Sequence, residues 1–410
     1  MTGDIVVFED HYVEDMWPIT LTRPGWAVTC GAYNLREVAA LAGERVSCVV
    51  RGYLKKIAAR SLAGSPREDG PTLFLNAAVA PDVRYVARLR ELLAEAQPFM
   101  CTAGHRVAAA MLRVGEQVPE DLSSETVTPY LLSLNLPLRD GEPFRTFDYP
   151  FHVIGALEEL LPANVEHRIE ADGFRELRPG VFVGEGVSVA ETAVFHADDG
   201  PIVLGDGVRV LDFTYFEGPV YVGPRSRIIE RSSVKQSVSI GHTCKIGGEV
   251  EATVIEPYAN KQHHGFLGHS YLGSWVNLGA GTSNSDLKNT YGEVRIQHRG
   301  RRIETGMQFV GCVIGDYAKS AINTSIFTGK TVGAASMLYG YVGQDVPSFC
   351  NYAKSFGQVT EVTLEQAVIT QKRMFARRDV EQTEDDIALL ATIFELTREE
   401  RMISAEPPAL

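Results

Sequence analysis

The feature that most restricts this chain is a period of six. Leu204, Val210, Phe216, Val222, Ile228, Val234, Ile240 and Ile246 place an apolar residue at every sixth position without a break, and Gly follows at 205, 223, 241 and 247. A helix repeats every ~3.6 residues and a strand about every 2, so neither produces this series. A parallel β-helix does: each six-residue face sends one apolar side chain inward, and three faces close one triangular coil. On this reading the glycine after the inward residue helps the chain turn a corner. A second series, Leu272, Leu278, Ile314, Ile326, Val332 and Leu338, keeps the six-residue lattice but is displaced by two residues from the first. The displacement predicts an irregular loop between the series, containing Asn260 through His264. The long polar stretch 283–309 predicts an arm projecting from the coil.

Upstream the pattern is α/β. Ile5–Phe8, Val46–Val50 and Leu73–Leu75 are short apolar runs suited to buried parallel strands, and 34–42 and 83–96 carry helical periodicity between them. Residues 166–180, ending in Arg178-Pro179-Gly180, read as a linker. Downstream, Thr363 and Thr383 open helices with capping signals, which predicts a helical hairpin on the coil end or against a neighbouring subunit, followed by a fraying tail at Glu406-Pro407-Pro408. The expected domains are therefore 1–168 (α/β), 181–358 (coil) and 359–402 (helices).

Composition narrows the partners. A formal net charge of −13 over 410 residues argues against nucleic acid and anionic membranes. No run approaches the ~20 apolar residues of a membrane span, and the start of the chain has no leader pattern. Six scattered cysteines without a CxxC pair suggest reduced thiols. These features predict a cytoplasmic protein acting on a small molecule.

The string 261–290 carries the chemistry. His263 stands sixteen residues before Gly279, and Leu267-Gly268, Leu272-Gly273 and Leu278-Gly279 run between them into the turn Gly279-Ala280-Gly281-Thr282. This arrangement resembles the acyltransferase half of the bifunctional N-acetylglucosamine-1-phosphate uridyltransferase/glucosamine-1-phosphate acetyltransferase family. The resemblance is close over 240–340 and looser elsewhere. It implies a left-handed coil, a homotrimer with sites between adjacent coils, and acetyl-CoA or another acyl-CoA as co-substrate. It also implies His263 as general base and the Gly279–Thr282 turn as the seat of the acyl-CoA arm, with the Ala280 N–H as oxyanion donor. Imidazole is the side chain that titrates near neutral pH, which suits that role. By the same carry-over Asn277 and Glu249 would bind the acceptor. Phe266 replaces a sugar-contacting Tyr, and Glu251 replaces a Lys that binds the acceptor's phosphate. That charge reversal disfavours a phosphorylated acceptor.

A second resemblance lies near the start. Pro18-Ile19-Thr20-Leu21-Thr22-Arg23-Pro24 is similar to a stretch of sugar-phosphate nucleotidyltransferases, which makes Thr22, Arg23 and Asn76 nucleotide- or sugar-binding candidates. The glycine-rich phosphate loop of those enzymes is replaced by the acidic, glycine-free Phe8–Asp15, their Lys by Gly25, and their metal-binding Asp by Ala78. Two readings stand side by side for 1–168: a truncated Rossmann-type scaffold, or a residual nucleotide- or sugar-binding domain. Mg²⁺ enters only if nucleotidyl transfer is retained.

The leading expectation is an acyl-CoA-dependent acyltransferase acting on an amino sugar, sugar phosphate or related small amine or alcohol. The alternatives are a sugar-1-phosphate nucleotidyltransferase and a non-catalytic trimeric scaffold. His264 and His269 have a spacing found in the zinc site of γ-class carbonic anhydrases, but Ile228 and Ser233 stand where a third ligand would be, so no metal is expected. Tyr271 and Trp275 read as subunit-interface packing. Arg295, Arg299, Arg301 and Arg302 read as a solvated face, or as a cluster holding phosphates of CoA or a nucleotide sugar.

Overall fold

The computed structural model describes residues 3–43, 45–62 and 70–404; the expected fraying tail lies outside these. By its contacts the chain divides into two compact units, Met1–Tyr149 and Pro150–Leu410. The helix Pro150–Asp172 runs through much of the expected linker and groups with the coil rather than with the α/β unit.

In the first unit five strands lie in the order Arg45–Val49, Asp4–Phe8, Thr72–Asn76, Arg106–Met111, Phe99–Ala103. The three runs read as buried strands are the three parallel ones, and the last two join antiparallel. Asp4–Phe8 and Thr72–Asn76 are buried at every residue, as strands covered on both faces must be. Helices Leu35–Ala42 and Tyr85–Glu95 fall where the periodicity places them. Asn34 caps the first, accepting from the Glu37 N–H at 3.1 Å while Glu37 accepts from the Asn34 N–H at 2.9 Å. The carboxyl ends of the parallel strands, where α/β sheets place their ligands, carry Glu9, Arg51 and Asn76.

The second unit is a left-handed parallel β-helix. Strands one turn apart pair in parallel, Leu204 with Val222 and Val222 with Ile240, so a regular turn is three six-residue faces. All fourteen residues of the two six-residue series are buried. Three sequence expectations change in detail. Between the series there is no irregular loop, because Asn260–Lys261 is a strand paired with Lys245–Ile246. Val234 pairs with Val250 and Ile246 with Lys261, so these turns fall short of three full faces. Residues are missing from corners, where shortening leaves the inward positions in line.

The glycines do not turn the corners by their own torsions. The left-handed residue comes two positions later, at Arg225, Thr243, Trp275, Tyr317 and Ala335. Each glycine is needed because the next turn passes too close for a Cβ. One on Gly223 would lie 2.7 Å from His242 N, and one on Gly247 1.9 Å from Gln262 O.

The polar stretch also differs from a free arm. Arg295–His298 and Arg301–Glu304 form an antiparallel hairpin inside the long turn that pairs Leu272 with Ile314. Val294 and Ile296 are buried, and Val294 reaches Gly329, so the arm lies back on the coil.

Three helices follow: Leu364–Ala376, Glu384–Leu396 and a short Arg398–Ser404 beyond the expected pair. Thr383 and Asp386 complete a capping box, while Thr363 accepts from the Gln366 N–H at 3.3 Å. The helices pack on the coil of their own chain. Phe394 meets Phe349 edge to face at 5.1 Å, and Phe375 covers Trp275 at 4.5 Å. Trp275 also stacks on Tyr258 at 4.2 Å, and the buried Tyr271 donates to Glu256 at 2.6 Å. Both residues read as interface packing are thus satisfied within the chain. All six cysteines are free thiols, and no helix among the described residues is long and apolar enough to cross a membrane.

Gly223→Ala places a methyl group against the next turn, away from the corner of His263. It should destabilise the coil by about 1–3 kcal/mol, the usual cost of overpacking. Thermal unfolding checks this; an unchanged midpoint would mean that the turns are not in the contact described.

Candidate functional site

One corner of the coil gathers most of the residues singled out in the sequence. Val250 pairs with Leu267 and Asn260 with Asn277, so the turns here are one residue short of three full faces. The corner 262–265 therefore lies directly on the corner 279–282, and His263 stands over Ala280. The Gly281 N–H donates to His264 O at 3.1 Å, and one turn on, the Asn323 N–H donates to Ala280 O at 2.7 Å.

His263 is exposed, and its ring makes no hydrogen bond or ion pair among the described residues. His264 is also exposed; its Nε2 lies 3.3 Å from where a Cβ on Gly281 would be, so this ring rests against the turn. Within the turn, the N–H groups of Gly279, Gly281 and Thr282 donate to Ser320 O, His264 O and Gly279 O. That of Ala280 has no partner among the described residues. Gly281 has φ +75°, and a Cβ there would meet Asn323 Oδ1 at 2.2 Å, so both torsion and space demand glycine. The Thr282 hydroxyl is tied to Ser320 Oγ at 2.7 Å and Ala321 O at 3.2 Å, which fixes the turn.

The acceptor candidates flank this corner on two faces. Asn277 stands in a column between Asn260 and Lys319 and accepts from Asn260 Nδ2 at 2.6 Å. Glu249 and Phe266 are neighbours on the following face, and Glu251 lies two residues further from the corner. Lys235, which sequence reasoning passed over, sits one turn away with Nζ 2.6 Å from Glu249 and 3.8 Å from Glu251. The trio keeps one net negative charge, so the surface remains unsuited to a phosphate.

Lys261 was also missed. It occupies an inward position, six residues after Ile255 and six before Leu267, which was the available signal. Its buried Nζ donates to Gly247 O and His263 O, both at 2.8 Å, and so pins the backbone of the histidine corner. Burial pushes its pKa down to about 8, against a smaller upward pull from Glu249.

In the first unit Thr22 is buried, and the Arg23 carbonyl accepts from Arg51 at 3.1 Å. The Asn76 amide is fully committed, donating to Asp10 and Val107 O and accepting from the Ala78 N–H, each at 2.9 Å. The acidic segment is not a field of free charge. Glu9 is held by the Arg51 backbone and guanidinium and by the Gly25 N–H, and Asp10 by Arg106. The cavity bounded by Glu9, Gly25, Asn76, Ala78 and Arg106 has room for about one water. The donor set does not fit a magnesium ion, because Asp10 is already neutralised and Ala78 offers no oxygen ligand. His269 bonds Asp286 at 2.9 Å and stacks on Phe309, and no cluster of three or more His, Cys, Asp or Glu suited to a metal occurs among the described residues.

Residues 5–170 match a family model described as sugar nucleotidyl transferase. The chain is 32% identical over 128 residues to a bifunctional sugar-1-phosphate nucleotidylyltransferase/acetyltransferase of Sulfurisphaera tokodaii, covering 31% of this chain and 29% of that protein. It is 25% identical over 194 residues to the bifunctional protein GlmU of Bartonella quintana, covering 46% and 35%. The chain thus spans about a third of the length of these relatives, which are transferases. Among solved structures it is similar to a UDP-N-acetylglucosamine acyltransferase of Francisella novicida, with 14% identity, TM-score 0.30, and 56% and 71% of the two chains covered. It is also similar to the Bacillus cereus N-acyltransferase AntD in complex with dTDP and coenzyme A, with 14% identity, TM-score 0.21, and 50% and 98% covered.

A lysine whose folded pKa is about 8, below the ordinary ~10.4, binds its proton less readily in the folded protein than in the unfolded chain. Its contribution to stability therefore rises as pH climbs from about 8 towards that ordinary value. Wild type should gain stability relative to Lys261→Met across this window, read as a widening difference in unfolding midpoint. A pH-independent difference would place the ammonium in solvent.

Proposed function

We propose that the coil transfers an acyl group from an acyl-CoA, such as acetyl-CoA, to an amino or hydroxyl group of a small sugar-like acceptor. The observation that carries this reading is the stacking of His263 over Ala280, an uncommitted base beside an uncommitted N–H donor. Acyl transfer needs both within one substrate's reach. The imidazole takes the proton from the acceptor as its nitrogen or oxygen attacks the thioester carbonyl. The Ala280 N–H steadies the oxyanion of the tetrahedral intermediate, which collapses to expel the CoA thiolate. Asn277 on one side and Glu249 and Phe266 on the other orient the acceptor. The acidic bias left by Glu251 favours an amine or alcohol without a phosphate nearby.

The working unit is a homotrimer. One face of the coil carries the chain's own helix Pro150–Asp172 and the hairpin, and a second receives the helix Leu364–Ala376. The third face and its corner expose Ile322, Phe327 and Tyr341 at 69, 51 and 66%, the kind of apolar surface that a neighbouring copy covers. A monomer by light scattering at micromolar concentration would remove this support.

For the first unit we propose a scaffold role, since the committed Asn76, the neutralised Asp10 and the water-sized cavity leave phosphoryl transfer without apparatus. The match of 5–170 to sugar nucleotidyl transferases favours the second reading, nucleotidyl transfer by that unit. Thiol release from acetyl-CoA against pyrophosphate release from nucleoside triphosphate plus sugar phosphate separates the two.

His263→Ala should lower acyl transfer by about 10²–10⁴-fold, the worth of a positioned base, while acyl-CoA binding changes little. His264→Ala should lose less. The reverse order of losses would move the base to His264. No loss in either variant would leave the coil a scaffold.

A further inference from the structure

A groove of about 200 Å³ lies between the second coil face and the end of the helix Leu364–Ala376. Four cations line it, Lys245, Lys319, Arg377 and Arg378, and no acidic residue does. None of the four has a carboxylate partner among the described residues. In a chain of net charge −13, so many unmatched cations in one groove are not an average of composition. Among the described residues Lys319 Nζ reaches only Tyr317 O at 2.9 Å and Met374 Sδ at 3.4 Å. Burial first, then repulsion from Arg378, holds Lys245 below its ordinary pKa; burial first, with repulsion from Arg377, holds Arg378 below its own, and burial brings Lys319 to about 8. A bound anion would offset this burial and repulsion.

The rest of the lining says what kind of anion fits. Lys245 and Lys319 sit three turns apart in the column through Asn260 and Asn277. At ~4.8 Å per strand this is roughly 14 Å along the coil, more than a single phosphate bridges. Asn260, Gln262 and Asn277 supply amides, and Asn260 Oδ1 is buried without a hydrogen-bond partner, an acceptor suited to a ligand hydroxyl. Trp275 borders the groove, but Tyr258 and Phe375 already cover it, so it offers no platform for a base.

We propose that this groove binds the pyrophosphate diester of a nucleotide ligand, holding the two phosphates with the four cations and a sugar hydroxyl with the amides. Acyl-CoA and nucleotide sugars share that chemistry. The proposal deepens the acyl-transfer reading through Asn277, which belongs to both sites, but rests on the groove's own charge.

The test is calorimetric titration of the whole protein with inorganic pyrophosphate, then with CoA and with a uridine diphosphate sugar, at low and high salt. Pyrophosphate should bind saturably, weaken with salt, and lose at least about tenfold in affinity in Lys319→Gln/Arg378→Gln. Arg301→Gln/Arg302→Gln, which alters the hairpin instead, should bind as wild type. The diester whose affinity falls in the groove variant is the occupant. Absence of pyrophosphate binding, equal binding in the groove variant, or loss in the hairpin variant alone would overturn the proposal. So would a groove variant that binds both diesters as wild type does. His263→Ala should bind pyrophosphate normally, so loss of its activity alone would not count against the groove, nor groove failure against the base.

Discussion

The close stacking of successive turns governs the second unit. Parallel strands a hydrogen-bond length apart bring each corner against the next, and a glycine stands where a Cβ would strike backbone, as at Gly223, Gly247 and Gly279. The chain reverses one residue later at Gly248 and two later at Arg225 and Gly281, and at other corners a left-handed torsion is accepted even by Trp275 and Tyr317. The same stacking converts sequence distance into spatial contact. His263 and Ala280 lie one above the other because their separation in sequence equals the length of the turn that joins them.

The first unit depends on a different interaction. Glu9 and Asp10 follow a buried central strand, and two buried arginines, Arg51 and Arg106, neutralise them. A buried pair holds its parts in place because either charge alone is costly to bury. Its hydrogen bonds extend the effect: Arg51 donates to Thr20 O at 2.7 Å and to Arg23 O at 3.1 Å, drawing the Thr20–Arg23 stretch onto the strand ends. Glu9, Asp10 and Asn76 are therefore committed within the unit. The family match speaks for the fold, and the proposed scaffold role is compatible with it, because fold and site vary independently.

Much of this was legible in the sequence, for identifiable reasons. The six-residue lattice specified the coil because each inward position is an independent count, and all of them agree. The two inner parallel strands were legible because full burial forces continuous apolar runs. The shortened turns were not, since removing corner residues changes the phase without changing residue types; an offset between Ile246 and Leu272 read as a loop although the coil is unbroken. The hairpin's return to the coil was hidden by its arginines, with only Val294 and Ile296 marking the buried side. Lys235 and the basic groove escaped because their partners come from other turns or from the C-terminal helix. No local pattern records those distances.

Shortened turns meet at the site, as they do again near the coil's end where Ile326 pairs with Val342, and the inward side chains set the site apart. Buried hydroxyls recur along the coil, as at Ser226, Ser270 and Ser336, but the inward lattice itself turns polar at Lys261, Asn284 and Ser320, beside the corner of His263. Each binds backbone: Lys261 the carbonyls of Gly247 and His263, Asn284 both the N–H and the carbonyl of Gly268, and Ser320 Oγ the N–H of Gly279 at 3.0 Å. An apolar residue at these positions would add hydrophobic burial yet hold no backbone atom. A shortened corner has fewer internal bonds to define it. The polar inward residues supply such bonds beside His263 and Ala280, the pair on which the proposed acyl transfer rests.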